Sequence, residues 1–378
     1  MGEPGRRYRQ TGQQNRRRKI YEAIVLGSGP AGAATSLALA RRGLDVAVLT
    51  GPHRLGPRVG ETVPPSIKRP LAQLDLWNSF AAAGHRPAPS TVVVWGDARP
   101  YENEFLVDPY GVGWHLDRQR FDEMLIEAAW AAGVEVYRDV VLKGSRRNSQ
   151  GLWEISTGLD SDPFAANWIV DATGRASWFA RQQGARRHLL DRMVALVKFG
   201  TLSSADDRTF IEACEYGWWY AAGLPAGRLV LAFFTDTDLV TTRRQRDWEN
   251  ALRETKLISG LAAAAHNLSP VHVIGASCGR LTQIVGPGWL SVGDAARCFD
   301  PCSGQGIATA LTTGVAAAQA IHSNGAVSGA VAAEYSHLVN SEFEKFRTAR
   351  FAQYRRERRW TDSAFWLRRS QEGLPPVG

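Results

Sequence analysis

Apolar and polar positions along this chain follow two different periods. A short apolar run, Ala23–Leu26, leads into Gly27-Ser28-Gly29-Pro30-Ala31-Gly32 and then the Ala-rich stretch Ala33–Arg42, closed by Gly43. That pattern predicts strand, glycine turn and helix, with Asp45–Leu49 as the next strand. Residues 51–70 are rich in Gly and Pro and predict an extended loop. Helical spacing returns over Phe121–Ala132, stopped by Gly133 ahead of a strand at Val134–Tyr137. Trp153–Thr157 and Trp168–Ala172 read as further strands. Residues 193–199 and 216–234 alternate and are rich in β-formers, which predicts a separate antiparallel sheet. Residues 289–321 return to strand, loop and a long Ala-rich helix, and from Ala330 the pattern is mostly helical. No internal repeat is evident.

This order predicts an α/β fold. A Rossmann-like nucleotide-binding domain is drawn from 20–75, 105–180 and 280–325. An antiparallel-sheet substrate domain, 76–104 with 181–279, is inserted into it, and 326–378 form a helical basic segment. A ligand then belongs at the interface between the two domains.

Composition narrows the class. With 378 residues, 44% hydrophobic and 22% charged, the chain can bury a full core, and disorder, collagen and coiled-coil rods are excluded. Its four Cys make neither a disulfide framework nor a metal-ligand spacing. Without a long apolar span or a signal-peptide pattern, the expected location is the cytoplasm, with no stable membrane insertion. The net charge of +8 is uneven, since residues 1–19 hold seven Arg or Lys against Glu3 and residues 342–369 hold nine against four acids. A flexible basic tail and a basic C-terminal segment thus flank a slightly acidic body. Such charge either steers an acidic macromolecule or anionic surface, or is a solubilising tail and a solvated helix face. No nucleic-acid signature accompanies it, so nucleic acid is not an expected partner.

The strongest local motif is the glycine turn. Gly27 permits the tight turn, Gly29 lets backbone approach a pyrophosphate, and Gly32 allows close helix–strand packing. The helix start adds N–H groups and a favourable dipole. An acidic residue normally ends the second strand of such a unit and binds the ribose; here Thr50 stands there, a weaker partner.

Four segments together resemble the FAD-binding superfamily of aromatic hydroxylases, geranylgeranyl reductases and flavin-dependent halogenases. They are Gly27–Gly32, Gly60-Glu61, Asp117–Leu125, and Val292-Gly293-Asp294-Ala295-Ala296 continuing into Asp300–Ile307. The resemblance implies FAD as cofactor, with Asp294 on its ribitol and Arg118 or Arg120 near its phosphate–ribitol region. It also implies Asp171, in Asp171-Ala172-Thr173-Gly174-Arg175, as a second nucleotide contact. Pro301, Gly304 and Gly306 would let backbone run close to the isoalloxazine, and the helix beginning near Gly304 would aim its positive end at the ring. For Asp294 a helix N-cap is the structural alternative.

The resemblance to halogenases is close through Gly60–Pro64, but those enzymes carry a catalytic lysine that His85–Trp95 lacks. Their Trp-x-Trp-x-Ile-Pro signature is broken at Gly217–Pro225. Phe299–Ile307 is similar instead to flavoproteins that modify a partner polypeptide's tryptophan during tryptophylquinone biogenesis, as for quinohemoprotein amine dehydrogenase. This implies an FAD-dependent monooxygenase that uses O₂, through a flavin C4a-hydroperoxide, to hydroxylate tryptophan in a small, acidic, Cys- and Trp-containing polypeptide. The reductant is NAD(P)H or flavin delivered by a separate reductase. Two alternatives stay open: a hydroxylase or epoxidase of a small aromatic or isoprenoid natural product, and a non-catalytic flavin-bound interaction protein.

His115, Glu61 and Asp300 are the candidates for proton transfer, each with an equal structural alternative. Alternation puts Trp218 and Tyr220 on one sheet face, either stacking on a planar substrate or packing a core, and Trp219 on the other. Cys298 and Cys302 are a redox pair or simple packing residues.

Overall fold

A computed structural model describes residues 19–52, 59–158, 162–204, 206–322 and 329–370. Most of the expected basic tail, residues 1–18, lies outside them, as do 53–58 of the Gly/Pro-rich loop. The chain is an α/β fold of the Rossmann type, with an inserted sheet and C-terminal helices.

The nucleotide-side sheet runs Val285–Gly286, Trp289–Ser291, Phe164–Asp171, Ile20–Leu26, Val46–Leu49, Glu135–Tyr137. A hairpin, Leu142–Arg147 with Trp153–Thr157, joins the first half of Phe164–Asp171 antiparallel. Ala23–Leu26 are wholly buried, as a continuous apolar run in a two-sided parallel sheet must be. Helix Pro30–Ala40 packs on helix Gly306–His322, and their small residues have a reason. A Cβ on Gly314 would stand 2.7 Å from Ala31 O and 3.0 Å from Ala34 Cβ.

The second sheet runs His272–Gly275, Met193–Thr201, Arg228–Asp236, Gly217–Leu224, Thr209–Cys214, Ser90–Val94, Tyr101–Glu104. It is antiparallel except where Thr209–Cys214 meets Ser90–Val94 in parallel. Its two faces divide as alternation predicts. Trp218 and Phe234, stacked at 4.1 Å, face one cluster, and Trp219 and Phe233, stacked at 5.1 Å, face the other. Trp248 and Ile258, from helices Arg244–Arg253 and Leu257–Ala263, close the Trp219 face.

Local boundaries differ from expectation where a cap intervenes. The first helix begins at Pro30, three residues early, because proline suits a first helical turn. The helix expected from Phe121 begins at Arg118, since the Asp117 carboxylate accepts from the Gln119 and Arg120 amides at 3.1 and 3.2 Å. Residues 51–70 are not all loop: Thr62–Val63 pairs with Gly113–His115, and a turn of 3₁₀ helix at Pro65–Ile67 runs into helix Lys68–Gln73.

Helices Gly329–Arg355 and Ala364–Ser370 form the C-terminal segment. Much of its positive charge is neutralised within the fold: Arg350 pairs with Asp191 and Asp300, Arg368 and Arg369 with Asp236, and Arg359 with Glu357. It is therefore a poorer electrostatic lure than its composition suggests. No described helix is long and apolar enough to cross a membrane.

Candidate active site

A cleft of about 650 Å³ separates the glycine turn from the second sheet. Gly29, Gly174 and Asp294 line one part of it, Pro301, Gly304 and Gly306 another, and Trp218, Tyr220 and Phe234 a third. The N-termini of helices Pro30–Ala40 and Gly306–His322 both open onto it.

The three glycines of the turn differ in what they permit. Gly27 has φ +109°, and a Cβ there would lie 2.4 Å from Ala172 O. At Gly32 a Cβ would meet Gly27 O at 2.0 Å, whereas at Gly29 nothing lies within 4 Å. The turn is thus closed behind and open in front. Thr50 follows the second strand, and its hydroxyl lies 2.9 Å from that of Ser28, within the turn.

Asp294 caps nothing; its carboxylate faces Arg175 at 3.5 Å. Arg118 lines the cleft and Arg120 does not, because two residues' separation turns them to different sides of the helix. Arg118 holds the Val59 carbonyl, the Gly60 carbonyl at 3.3 Å and Asp122 at 3.3 Å. Asp171 does not reach the cleft. It is fully buried, accepting from Thr173 N, Thr173 Oγ1 and Ala180 N at 3.0, 2.6 and 2.9 Å, so it fastens the following turn and leaves the cleft to Gly174 and Arg175.

The three proton-transfer candidates separate in the same way. Glu61 lines the cleft beside Arg118; its Oε2 accepts from Gly60 N at 3.0 Å, and Oε1 is buried without a partner. Burial pushes its carboxyl up to about 7, with Arg118 opposing. His115 stands behind the wall, fully buried, and desolvation lowers it to about 4. It is therefore neutral and out of reach of a ligand in the cleft. Asp300 is committed: it accepts from Cys302 N at 2.9 Å, Arg350 Nε at 2.8 Å and Tyr354 Oη at 2.9 Å. A carboxylate so engaged is a brace for the Pro301–Gly306 loop, not a free base.

Residues 21–337 match the FAD binding domain family. The chain belongs to that family. It is an FAD-dependent oxidoreductase of the halogenase and hydroxylase-like superfamily. LodB of Marinomonas mediterranea, which goes by the name of an FAD-dependent oxidoreductase, is 30% identical over 364 residues, 92% of this chain and 96% of its own. QhpG, a peptidyl tryptophan dihydroxylase essential for tryptophylquinone cofactor biogenesis, superposes with a TM-score of 0.77 at 25% identity, over 95% of this chain and 80% of that one. The myxobacterial chondrochloren halogenase CndH shares the fold, with a TM-score of 0.83 at 22% identity over 93% of this chain and 86% of that one.

The residues of the flavoenzyme fit FAD. Gly29, Gly304 and Gly306 each leave open space where a Cβ would stand, so backbone can lie against a bound ring or phosphate. Two helix N-termini face the same cleft, the arrangement that favours anionic groups. Trp218 lies at the junction of wall and core: it lines the cleft, and its Nε1 donates to Tyr354 Oη at 3.0 Å. None of the four cysteines is in a disulfide, and burial pushes the Cys302 thiol up and Cys298 up to about 11, which removes the reactive thiolate a redox pair needs. Sequence reasoning missed Thr62, Arg350 and Tyr354. The first stood inside a quoted motif, whereas the other two carry no local signal.

Proposed function

We propose that this flavoenzyme is a monooxygenase that hydroxylates the indole ring of a tryptophan in a partner polypeptide during peptidyl quinone cofactor biogenesis. The observation that carries this is the aromatic wall: Trp218, Tyr220 and Phe234 share one cleft with the Pro301–Gly306 loop and the Glu61 carboxyl. Among the described residues its lining cations are Arg118 and Arg175, each paired with a carboxylate, and no lysine stands among them. Further support comes from the similarity to a peptidyl tryptophan dihydroxylase over nearly the whole chain.

Gly27–Gly32, Arg118, Asp294 and the Pro301–Gly306 backbone would hold FAD, which would supply an electrophilic oxygen once reduced in the presence of O₂. The protein's part is to orient and to exclude water. Tyr220 stands on the cleft wall where an electron-rich ring would lie, backed by Trp218, which is itself stacked on Phe234. Glu61, poised near neutrality with a free buried oxygen, takes the proton that the ring loses. Reducing power comes from NAD(P)H or from a separate flavin reductase. Leu106 and Val107, exposed by 86% and 92%, follow Phe105 on the cleft wall, an apolar rim suited to a macromolecular substrate. The lack of a disulfide among the four cysteines accords with work in the reducing cytoplasm.

The test is mass spectrometry after single turnover. Reduced holoenzyme is mixed with labelled O₂, bromide and a tryptophan- and cysteine-containing polypeptide. Labelled oxygen on tryptophan is expected. Bromination, or a mass gain without label, would sink the proposal.

A further inference from the structure

Behind the aromatic wall lies a hydrogen-bonded chain whose direction can be worked out. Tyr220 Oη is 2.6 Å from Thr62 Oγ1, Thr62 Oγ1 is 2.8 Å from His115 Nδ1, and His115 Nε2 is 3.0 Å from the Asp207 carbonyl. A carbonyl only accepts, so Nε2 carries the ring proton and donates it. The ring is fully buried, with desolvation and Arg86 working against its cation while Asp207 works for it. It is neutral, and Nδ1 therefore holds a lone pair. Thr62 has one hydroxyl proton and gives it to Nδ1. Thr62 Oγ1 must then accept from Tyr220, whose only proton is committed.

Both Thr62 and Tyr220 line the cleft, so the head of this chain sits at the wall. The phenol oxygen keeps lone pairs but has no proton to offer. A ligand group meeting it must bring its own hydrogen. Burial and the nearby Glu61 hold the phenol well above its ordinary pKa, so it stays a neutral, polarised acceptor.

We infer that Tyr220 Oη is the acceptor for the N–H of a nitrogen-containing aromatic ring, and that Tyr220 therefore selects an indole over rings that lack a donor. This rests on the aromatic substrate proposed above. A site built around such a contact discriminates against an analogue that leaves it unmade.

The experiment uses FAD-loaded protein and two probes: a short glycine-flanked tryptophan peptide, and the same peptide carrying 1-methyltryptophan. Their dissociation constants are read from the perturbation of the flavin absorption band in wild type, Tyr220→Phe and Thr62→Val. Wild type is expected to prefer the N–H peptide by about 3- to 10-fold, the range of one buried hydrogen bond. Tyr220→Phe should abolish that preference, bringing the two dissociation constants together. Thr62→Val, which frees the phenol proton to turn toward the ligand, should reduce the preference even if Tyr220→Phe fails to fold. Equal binding of both peptides by wild type, or a preference that survives both substitutions, overturns the inference alone. Saturable binding of neither peptide overturns the indole substrate with it.

Discussion

Arg350 donates from Nε to Asp300 Oδ2 at 2.8 Å, with both side chains almost wholly excluded from solvent. The same guanidinium reaches Asp191 at 2.5 Å, so one cation from the C-terminal helix serves two buried carboxylates. Asp300 begins the loop that continues through Pro301 and Gly306 into the cleft. The C-terminal segment is thereby part of the cleft's support.

Arg350→Met should accordingly lower unfolding free energy by about 3–5 kcal/mol, because two carboxylates lose a buried partner. Asp300→Asn should weaken FAD binding along with stability, through the loop it braces. Neither substitution should remove a limb from the pH profile. Denaturant melts with FAD titration check the first two, and loss of a limb in Asp300→Asn would restore Asp300 as a proton carrier.

The glycine turn gives a cleaner separation of fold from cofactor. Gly29→Ala places a methyl in space that is open within 4 Å, so the fold should survive while FAD affinity falls at least 10-fold. Gly32→Ala drives a Cβ to 2.0 Å from Gly27 O, and the turn must move. Its melting temperature should fall by several degrees, with cofactor binding lost as a consequence. Circular dichroism and flavin absorbance on the same samples distinguish the two, and equal melting losses would contradict the assignment of Gly29.

These contrasts also show which parts of the molecule were legible in its sequence. The glycine turn, the shared face of Trp218 and Tyr220, and the route to FAD follow from local spacing, where period and motif act over a few residues. Asp171 looked like a cofactor ligand because its motif is local, but its orientation was decided by the Ala180 amide, nine residues on. Asp300 looked like a free acid because Arg350 and Tyr354 lie 50 and 54 residues away on a helix whose pattern says nothing of its target. His115 sat in the right motif but one layer too deep. Long-range pairing sets protonation and reach, and neither is written in spacing.

Glu61 makes pH dependence a direct test. Its carboxyl is raised from 4.5 to about 7 by burial, so the folded protein holds that proton more tightly than the unfolded chain does. The resulting stability is fully present below about pH 4.5 and is lost as pH rises through about 7, on the order of 3 kcal/mol. Glu61→Gln should remove this slope, so that the variant equals wild type in acid and exceeds it above neutrality. If Glu61 also takes the proton from the ring, kcat/KM should rise through a pKa near 7 in wild type and stay flat and low in Glu61→Gln. Melts of the FAD-free protein across that range read the first effect apart from the second. A wild-type slope unchanged in the variant would assign the titration elsewhere.

Polypeptide and small-molecule substrates are separated by the rim of the cleft. Leu106 and Val107 are exposed by 86% and 92% and neighbour Phe105, so a bulky partner would cover them and a small ligand would not. Exposed apolar side chains contribute little to the free protein, and Leu106→Ser with Val107→Ser should leave its melting temperature within a degree or two. Burying both side chains against a partner contributes about 1.5–3 kcal/mol each at most, so the double variant should raise KM for the polypeptide by about 10-fold or more. Turnover of a short tryptophan peptide, too small to span the rim, should be unchanged. Equal loss on both substrates would place these residues inside the catalytic pocket, and no loss on either would favour a substrate that never leaves the cleft.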